Sequence, residues 1–212
     1  MPTIACVSDT HDQHKSIEVP DADILVHAGD ITMNGTPSKL MDFNDWLGEQ
    51  PHKYKIVIAG NHDFYLEKHP ECGQEILSNC IYLNDSGCEV MGLKFWGSPV
   101  QPWFFDWAFN RQRGDDIKKH WDLIPNDTDV LITHGPPYGI LDDTFRSGPL
   151  GCKDLLDAVG RVKPKLHVFG HIHPPRGVKI FNGTTFVNAA ALDDDYNPWN
   201  IPAEIVEIDA IH

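Results

Sequence analysis

The stretch Ile56-Val57-Ile58-Ala59-Gly60-Asn61-His62-Asp63 joins an unbroken apolar run to three polar side chains across a single glycine. An apolar run of four to eight residues, rich in β-branched types and ended by Gly or Asp, reads as a strand covered on both faces. The same pattern recurs along the chain. Ile4–Val7 leads to Asp9-Thr10-His11, Ile24–His27 to Gly29-Asp30, Val130–Thr133 to His134-Gly135, and Leu166–Phe169 to Gly170-His171-Ile172-His173. Each polar cluster therefore stands at the C-terminal end of a predicted strand.

Helical patterns lie between several of these runs, at Lys39–Leu47, Glu71–Leu77, Asp115–Leu123 and Lys153–Val159. Strand–helix alternation predicts an α/β fold with a largely parallel component. Hairpin signals are interleaved: Asn182-Gly183 separates Val178–Phe181 from Thr184–Asn188, and Gly92 separates Glu89–Met91 from Lys94–Gly97. Ala203–Ile208 reads as a closing strand. The expected architecture is two stacked mixed sheets with helices outside, in one domain spanning 1–212, since no repeat, low-complexity tract or long linker divides the chain.

With 212 residues, 41% of them hydrophobic and 23% charged, the composition is that of a soluble globular protein. No stretch approaches the roughly 20 apolar residues of a membrane span, and the N-terminus runs into a strand without a basic leader, so cytoplasmic localisation and no membrane partner are expected. A formal net charge of −14 argues against binding long nucleic acid. The five cysteines are odd in number and irregularly spaced, predicting mostly buried thiols rather than a disulfide framework or zinc knuckle.

Ligands of open α/β sheets bind beyond the carboxyl ends of the strands, so the five polar clusters are expected to converge on one site. Asp, Asn and imidazole are hard or borderline donors, suited to Mn²⁺, Mg²⁺, Fe or Zn²⁺. Asp9, His11, Asp30, Asn61, His134, His171 and His173 are enough to hold two divalent cations about 3.5–4 Å apart. In extended backbone, Asp9 and His11 point the same way, as do His171 and His173. Glycines before Asp30, Asn61 and His171 allow tight turns and close backbone approach. Such a centre acidifies bound water for in-line attack on phosphorus and neutralises charge on the transition-state oxygens. His62 is the candidate proton donor to the leaving alkoxide, and Asp63 is expected to fix its tautomer and raise its pKa. Singly, each cluster has a plainer reading. Gly29-Asp30 is a turn, Asn61 or Asp63 caps a helix, and His134 is a structural histidine.

The series Asp-x-His, Gly-Asp, Gly-Asn-His-Asp, His, Gly-His-x-His resembles that of the calcineurin-like metallophosphoesterases. More closely, Leu25–Asp30, Ile58–His62, Thr133–Pro137 and Leu166–His173 resemble the metallophosphoesterase domain-containing proteins, related to class III cyclic nucleotide phosphodiesterases. The resemblance implies a four-layer α/β/β/α sandwich. It also implies one ion on Asp9, His11 and His173, another on Asn61, His134 and His171, and Asp30 between them, with Mn²⁺ the expected metal and Fe, Mg, Zn or Ni as alternatives. Met33 stands where many members carry a second Asp, and no basic residue follows until Lys39, unlike the protein Ser/Thr phosphatases.

The preferred expectation is a phosphodiesterase acting on small phosphodiesters or nucleotides, cyclic nucleotides among them. The alternatives are a phosphomonoesterase or nucleotide pyrophosphatase on the same metals, and a binding module that keeps only the fold. Substrate contacts are assigned to Trp103, Phe104, Trp107 and Arg146. The aromatic run Pro102–Phe109 reads either as core or as rings lining a cleft, and Arg111, Arg113 and Arg146 either as phosphate partners or as surface cations.

Overall fold

Strand β1 (Thr3–Val7) buries both of its faces, Ile4 and Cys6 toward one apolar cluster and Ala5 and Val7 toward another. That double burial is what a polar-free strand requires, and it sets the layering of the molecule. The computed structural model describes residues 1–144 and 148–209. After β1 come β2 (Ile24–Ala28), α1 (Pro37–Glu49), β3 (Tyr54–Ile58), α2 (Phe64–Lys68), α3 (Gly73–Ile76) and β4 (Ile81–Tyr82). The middle of the chain forms β5 (Ser86–Val90), β6 (Leu93–Ser98), β7 (Gln101–Pro102), β8 (Asn110–Arg111), α4 (Asp115–Trp121) and β9 (Val130–Thr133). It closes with β10 (Asp143–Thr144), β11 (Gly148–Pro149), α5 (Lys153–Val162), β12 (Leu166–Phe169), β13 (Gly177–Phe181), β14 (Thr184–Asn188) and β15 (Glu204–Glu207).

One sheet has the order β15-β1-β2-β3-β4, parallel except for β15; the other has the order β13-β14-β12-β9-β6-β5, with a parallel centre and antiparallel hairpins at both ends. Ile4, Val26 and Ile56 of the first sheet meet Phe95, Ile132 and Val168 of the second in the central cluster. The opposite face of the first sheet packs on Leu40, Phe43 and Leu47 of α1. Leu131, Phe169 and Phe186 of the second sheet pack on Ile117 and Trp121 of α4 and Leu155 and Val159 of α5. The result is the expected four-layer α/β/β/α sandwich of two mixed sheets. Each large apolar side chain buried this way contributes about 1.5–3 kcal/mol, which makes the strand ends a stiff platform.

Two main-chain hydrogen bonds join the sheets at that end, from Ser8 N–H to the Ala189 carbonyl (2.9 Å) and from Ala191 N–H to the Ser8 carbonyl (2.8 Å). Both hairpins form where predicted. The expected helix at Glu71–Leu77 shrinks to a 3₁₀ turn, Pro70–Cys72, and the single turn of α3. A proline at its start and the poor helix former Gly73 in its middle leave too short a span for a stable nucleus. Of the cysteines, Cys6 and Cys152 are buried, while Cys72, Cys80 and Cys88 are only half-buried. Among the described residues no helix is long and apolar enough to cross a membrane.

Candidate metal centre

All seven candidate ligands meet at one edge of the sandwich, each within four residues of a strand end. Two groups have donor atoms within 4.8 Å of one another, Asp9/His11/His173 and Asp30/His134/His171. His11, Asp30 and His62 form a third group that links them. Asp30 Oδ2 faces both sides, 3.6 Å from His11 Nε2 and 3.4 Å from His134 Nε2. Asn61 Oδ1 is 2.8 Å from His134 Nε2. His173 Nε2 is 3.6 Å from Asp9 Oδ1, and His11 Nε2 is 4.0 Å from the same atom.

The backbone that delivers these groups is not extended. Asp9 (φ 54°), His11 (φ 42°), Asp30 (φ 52°) and His171 (φ 68°) all occupy the left-handed region, which costs about 1–3 kcal/mol per residue and is kept where function fixes it. The expectation that extended geometry aligns the two His-containing motifs is therefore corrected. Asp9 and His11 share a group with both residues left-handed, and His171 and His173 diverge into different groups. Gly60 and Gly170 have no room for a side chain. A Cβ at Gly60 would collide with the Asp30 carboxylate, and one at Gly170 with the Asp9 carboxylate.

Main-chain carbonyls fix the imidazoles. Nδ1–H of His134 donates to Ala28 (3.0 Å), that of His173 to Asp193 (2.8 Å) and that of His62 to Met33 (2.9 Å). Each Nε2 is thereby aimed inward, the arrangement that orients metal-binding histidines. Burial pulls His134 and His173 down, but their carboxylate neighbours, Asp30 and Asp9, push both up to about 9. Burial raises Asp9 and Asp30, yet the facing imidazoles hold both below the usual carboxylate range. His11 is pulled down to about 4 and His171 to about 3, chiefly by burial. Neither ring nitrogen of buried His11 reaches a hydrogen-bond partner. An orphaned imidazole facing two carboxylates, within a set of hard and borderline donors, fits a divalent cation.

A sequence model of the calcineurin-like phosphoesterases matches residues 2–175. Metallophosphoesterase domain-containing protein 1 of Homo sapiens is 46% identical, over 94% of this chain and 69% of its own length. The chain belongs to the calcineurin-like phosphoesterases. A probable cyclic nucleotide phosphodiesterase of Synechococcus is 26% identical over 85% of this chain and 69% of its own. The solved structure of TT1561 of Thermus thermophilus shares the fold, with a TM-score of 0.63 at 13% identity over 88% of both chains. The family is metal-dependent, and the two donor groups are where this phosphoesterase could hold its ions.

Not every expected role survives the geometry. Asp63 does not touch His62. Its carboxylate accepts from Gly60 N–H (2.8 Å), Ile31 N–H (3.1 Å) and Thr32 N–H and Oγ1–H (3.0 and 2.9 Å), tying the Gly-Asn-His loop to the Gly-Asp loop. Burial and the Asp30 charge push its pKa up to about 7 against those donors. Adjacent residues point apart, so Asp63 caps α2 by position and braces the loops by side chain, and Met33 orients the imidazole instead. Trp107 lies against His62, ring centroids 4.2 Å apart, and does not line the cleft.

Trp103 and Phe104, about half-exposed, do line the cleft, a cavity of about 330 Å³ that His171 and His173 also line. The aromatic run thus divides, Ala108 and Phe109 belonging to the core. Arg111 donates to His120 and to the Asn110 carbonyl. Arg113 lines the cleft but donates to the Gly151 and Leu150 carbonyls. Arg146 lies outside the described residues. Sequence reasoning missed Tyr196, whose ring packs edge-on to His11 (5.0 Å) and His173 (5.5 Å) and lines the cleft. The only signal was one aromatic closing the acidic run Asp193-Asp194-Asp195.

Proposed function

We propose that this phosphoesterase is a binuclear-metal phosphodiesterase acting on small phosphodiesters, cyclic nucleotides among them. The carrying observation is Asp30, whose Oδ2 faces His11 on one side and His134 on the other. Asp9, His11 and His173 would hold one cation, Asn61, His134 and His171 the second, and Asp30 both, with Mn²⁺ the expected metal. When bound, the cations supply an acidified water nucleophile and positive charge against the phosphoryl oxygens.

The chain's own groups supply the rest. His62 Nε2 lies 3.9 Å from Asp30 Oδ2, with Nδ1–H committed to Met33 and the ring packed between His11 and Trp107. In this reading its Nε2 hands a proton to the leaving oxygen. Preference for a diester follows from charge. A diester carries one negative charge and a monoester up to two, and among the described residues of the cleft the only Lys or Arg is Arg113, already engaged by two carbonyls. Trp103 and Phe104 offer stacking surface, supporting a planar substituent such as a nucleobase at about 1–3 kcal/mol per stacked base.

Purified protein reloaded with Mn²⁺ is expected to cleave bis-p-nitrophenyl phosphate faster than p-nitrophenyl phosphate. The opposite preference would replace this reading with a phosphomonoesterase on the same residues.

A further inference from the structure

Two buried histidines stand behind the candidate ligands without touching them. His27 lies in β2 against Phe43 of α1, ring centroids 5.0 Å apart, and His167 lies in β12 against Phe169 and Phe186, at 5.1 and 5.7 Å. Both are fully buried in the layers between sheet and helix, where an imidazole without a purpose is costly. Burial pushes each down to about 3, so both stay neutral throughout the working range and their hydrogen-bond roles do not change with pH.

Each is half of a His–Thr relay. Gly29 N–H donates to His27 Nδ1 (3.3 Å), which leaves Nε2–H to donate to Thr10 Oγ1 (3.1 Å), and Thr10 O–H donates to the Ile31 carbonyl (3.3 Å). Gly29 and Ile31 flank Asp30, and Thr10 lies between Asp9 and His11. In the second sheet, His167 Nε2–H donates to Thr133 Oγ1 (2.8 Å), and Thr133 O–H donates to the Gly135 carbonyl (2.8 Å). Thr133 and Gly135 flank His134. Both relays therefore end on the carbonyl of the residue immediately after a candidate ligand, once in each sheet and with Thr preceding His in the chain both times.

We infer that His27–Thr10 and His167–Thr133 are paired positioning devices, which hold Asp30 and His134 in register across the two sheets and thereby set the affinity of the shared cation centre. The inference rests on the metal assignment above. Left-handed backbone at Asp9, His11 and Asp30 has an intrinsic tendency to relax, and a neutral, non-titrating tie on the flanking peptides opposes it. Groups behind metal ligands typically alter affinity by about 10–100-fold when removed.

The test measures Mn²⁺ affinity of the full chain by chelator competition, together with the melting temperature of the metal-free protein. Thr10→Val and Thr133→Val are each expected to weaken Mn²⁺ binding by about 10–100-fold, and Thr10→Ser and Thr133→Ser to restore it. His27→Phe added to Thr10→Val should cost little more, because the two act as one unit. Thr184→Val is the control. It removes another buried hydroxyl bonded to a carbonyl, that of Pro164, at the start of β14 and away from the site. It should lower melting temperature without moving Mn²⁺ affinity. Thr10→Val and Thr133→Val binding Mn²⁺ as tightly as wild type, with only melting temperature lowered, would overturn the inference. Wild-type protein that takes up no Mn²⁺ would instead overturn the reading of the centre itself.

Discussion

His134 commits both ring nitrogens to protein partners, Nδ1 to Ala28 and Nε2 to Asn61 and Asp30, whereas His11, across the shared carboxylate, commits neither. Each half contains one carboxylate–imidazolium pair, Asp30 with His134 and Asp9 with His173, and one burial-neutralised imidazole, His171 or His11. The difference is slack. In one half Asn61 and Asp30 already lie 2.8 and 3.4 Å from His134 Nε2, while in the other the carboxylate–imidazole distances are 3.6–4.0 Å. Metal-free, both halves hold a proton between a carboxylate and an imidazole, but only the second leaves an imidazole, His11, with no hydrogen-bond partner.

The largest test removes what the halves share. Asp30→Ala is expected to abolish turnover and release both ions, measured as metal per protein chain; unchanged stoichiometry would refute its place between them. Next, His62→Ala should cut turnover by about 10²–10⁴ while leaving metal content intact. Loss of metal there would make His62 a ligand and the comparison one of three parts rather than two. His134→Leu should destabilise the metal-free protein by about 3–5 kcal/mol, because it strands a buried carboxylate, read from denaturant midpoints.

Protons sharpen the comparison further. His134 and His173 both stand at about 9, above their ordinary 6.5. Their contribution to metal-free stability is complete below about 6.5 and is lost as pH rises through 9. Metal must displace the same protons, so Mn²⁺ affinity should climb over that window and binding should release protons. Parallel rather than opposite slopes of stability and affinity would break the pairing. The smallest effect belongs to the slack half. His11→Leu removes two unsatisfied buried nitrogens and should raise metal-free stability by about 1 kcal/mol, whereas a loss like that of His134→Leu would show the halves to be equivalent.

The strands were legible because β1, β2, β3, β9 and β12 are covered on both faces, which leaves a largely apolar, β-branched signature in the chain. The gathering of the seven candidate donors at one sheet edge was legible because each follows such a strand. What stayed hidden travels through the main chain or through distant partners. The carbonyls of Met33, Ala28 and Asp193 orient three imidazoles, and a carbonyl has no letter in the sequence. Asp63 was misread for the complementary reason, since its neighbour in sequence is not its neighbour in space. His27 and His167 passed as strand interior because their partners, Thr10 and Thr133, lie 17 and 34 positions away.

The pair of main-chain bonds through Ser8 has a further consequence. The N-terminal strand is stitched to the segment after β14. Each donor group takes residues from both sheets, Asp9 and His11 with His173 in one and Asp30 with His134 and His171 in the other, so the clip lies beside ligands that the two sheets supply jointly. Sliding of one sheet over the other would pull both donor groups apart. A chain cut anywhere before Ala189 would lose the clip, and with it the register that keeps each donor group together.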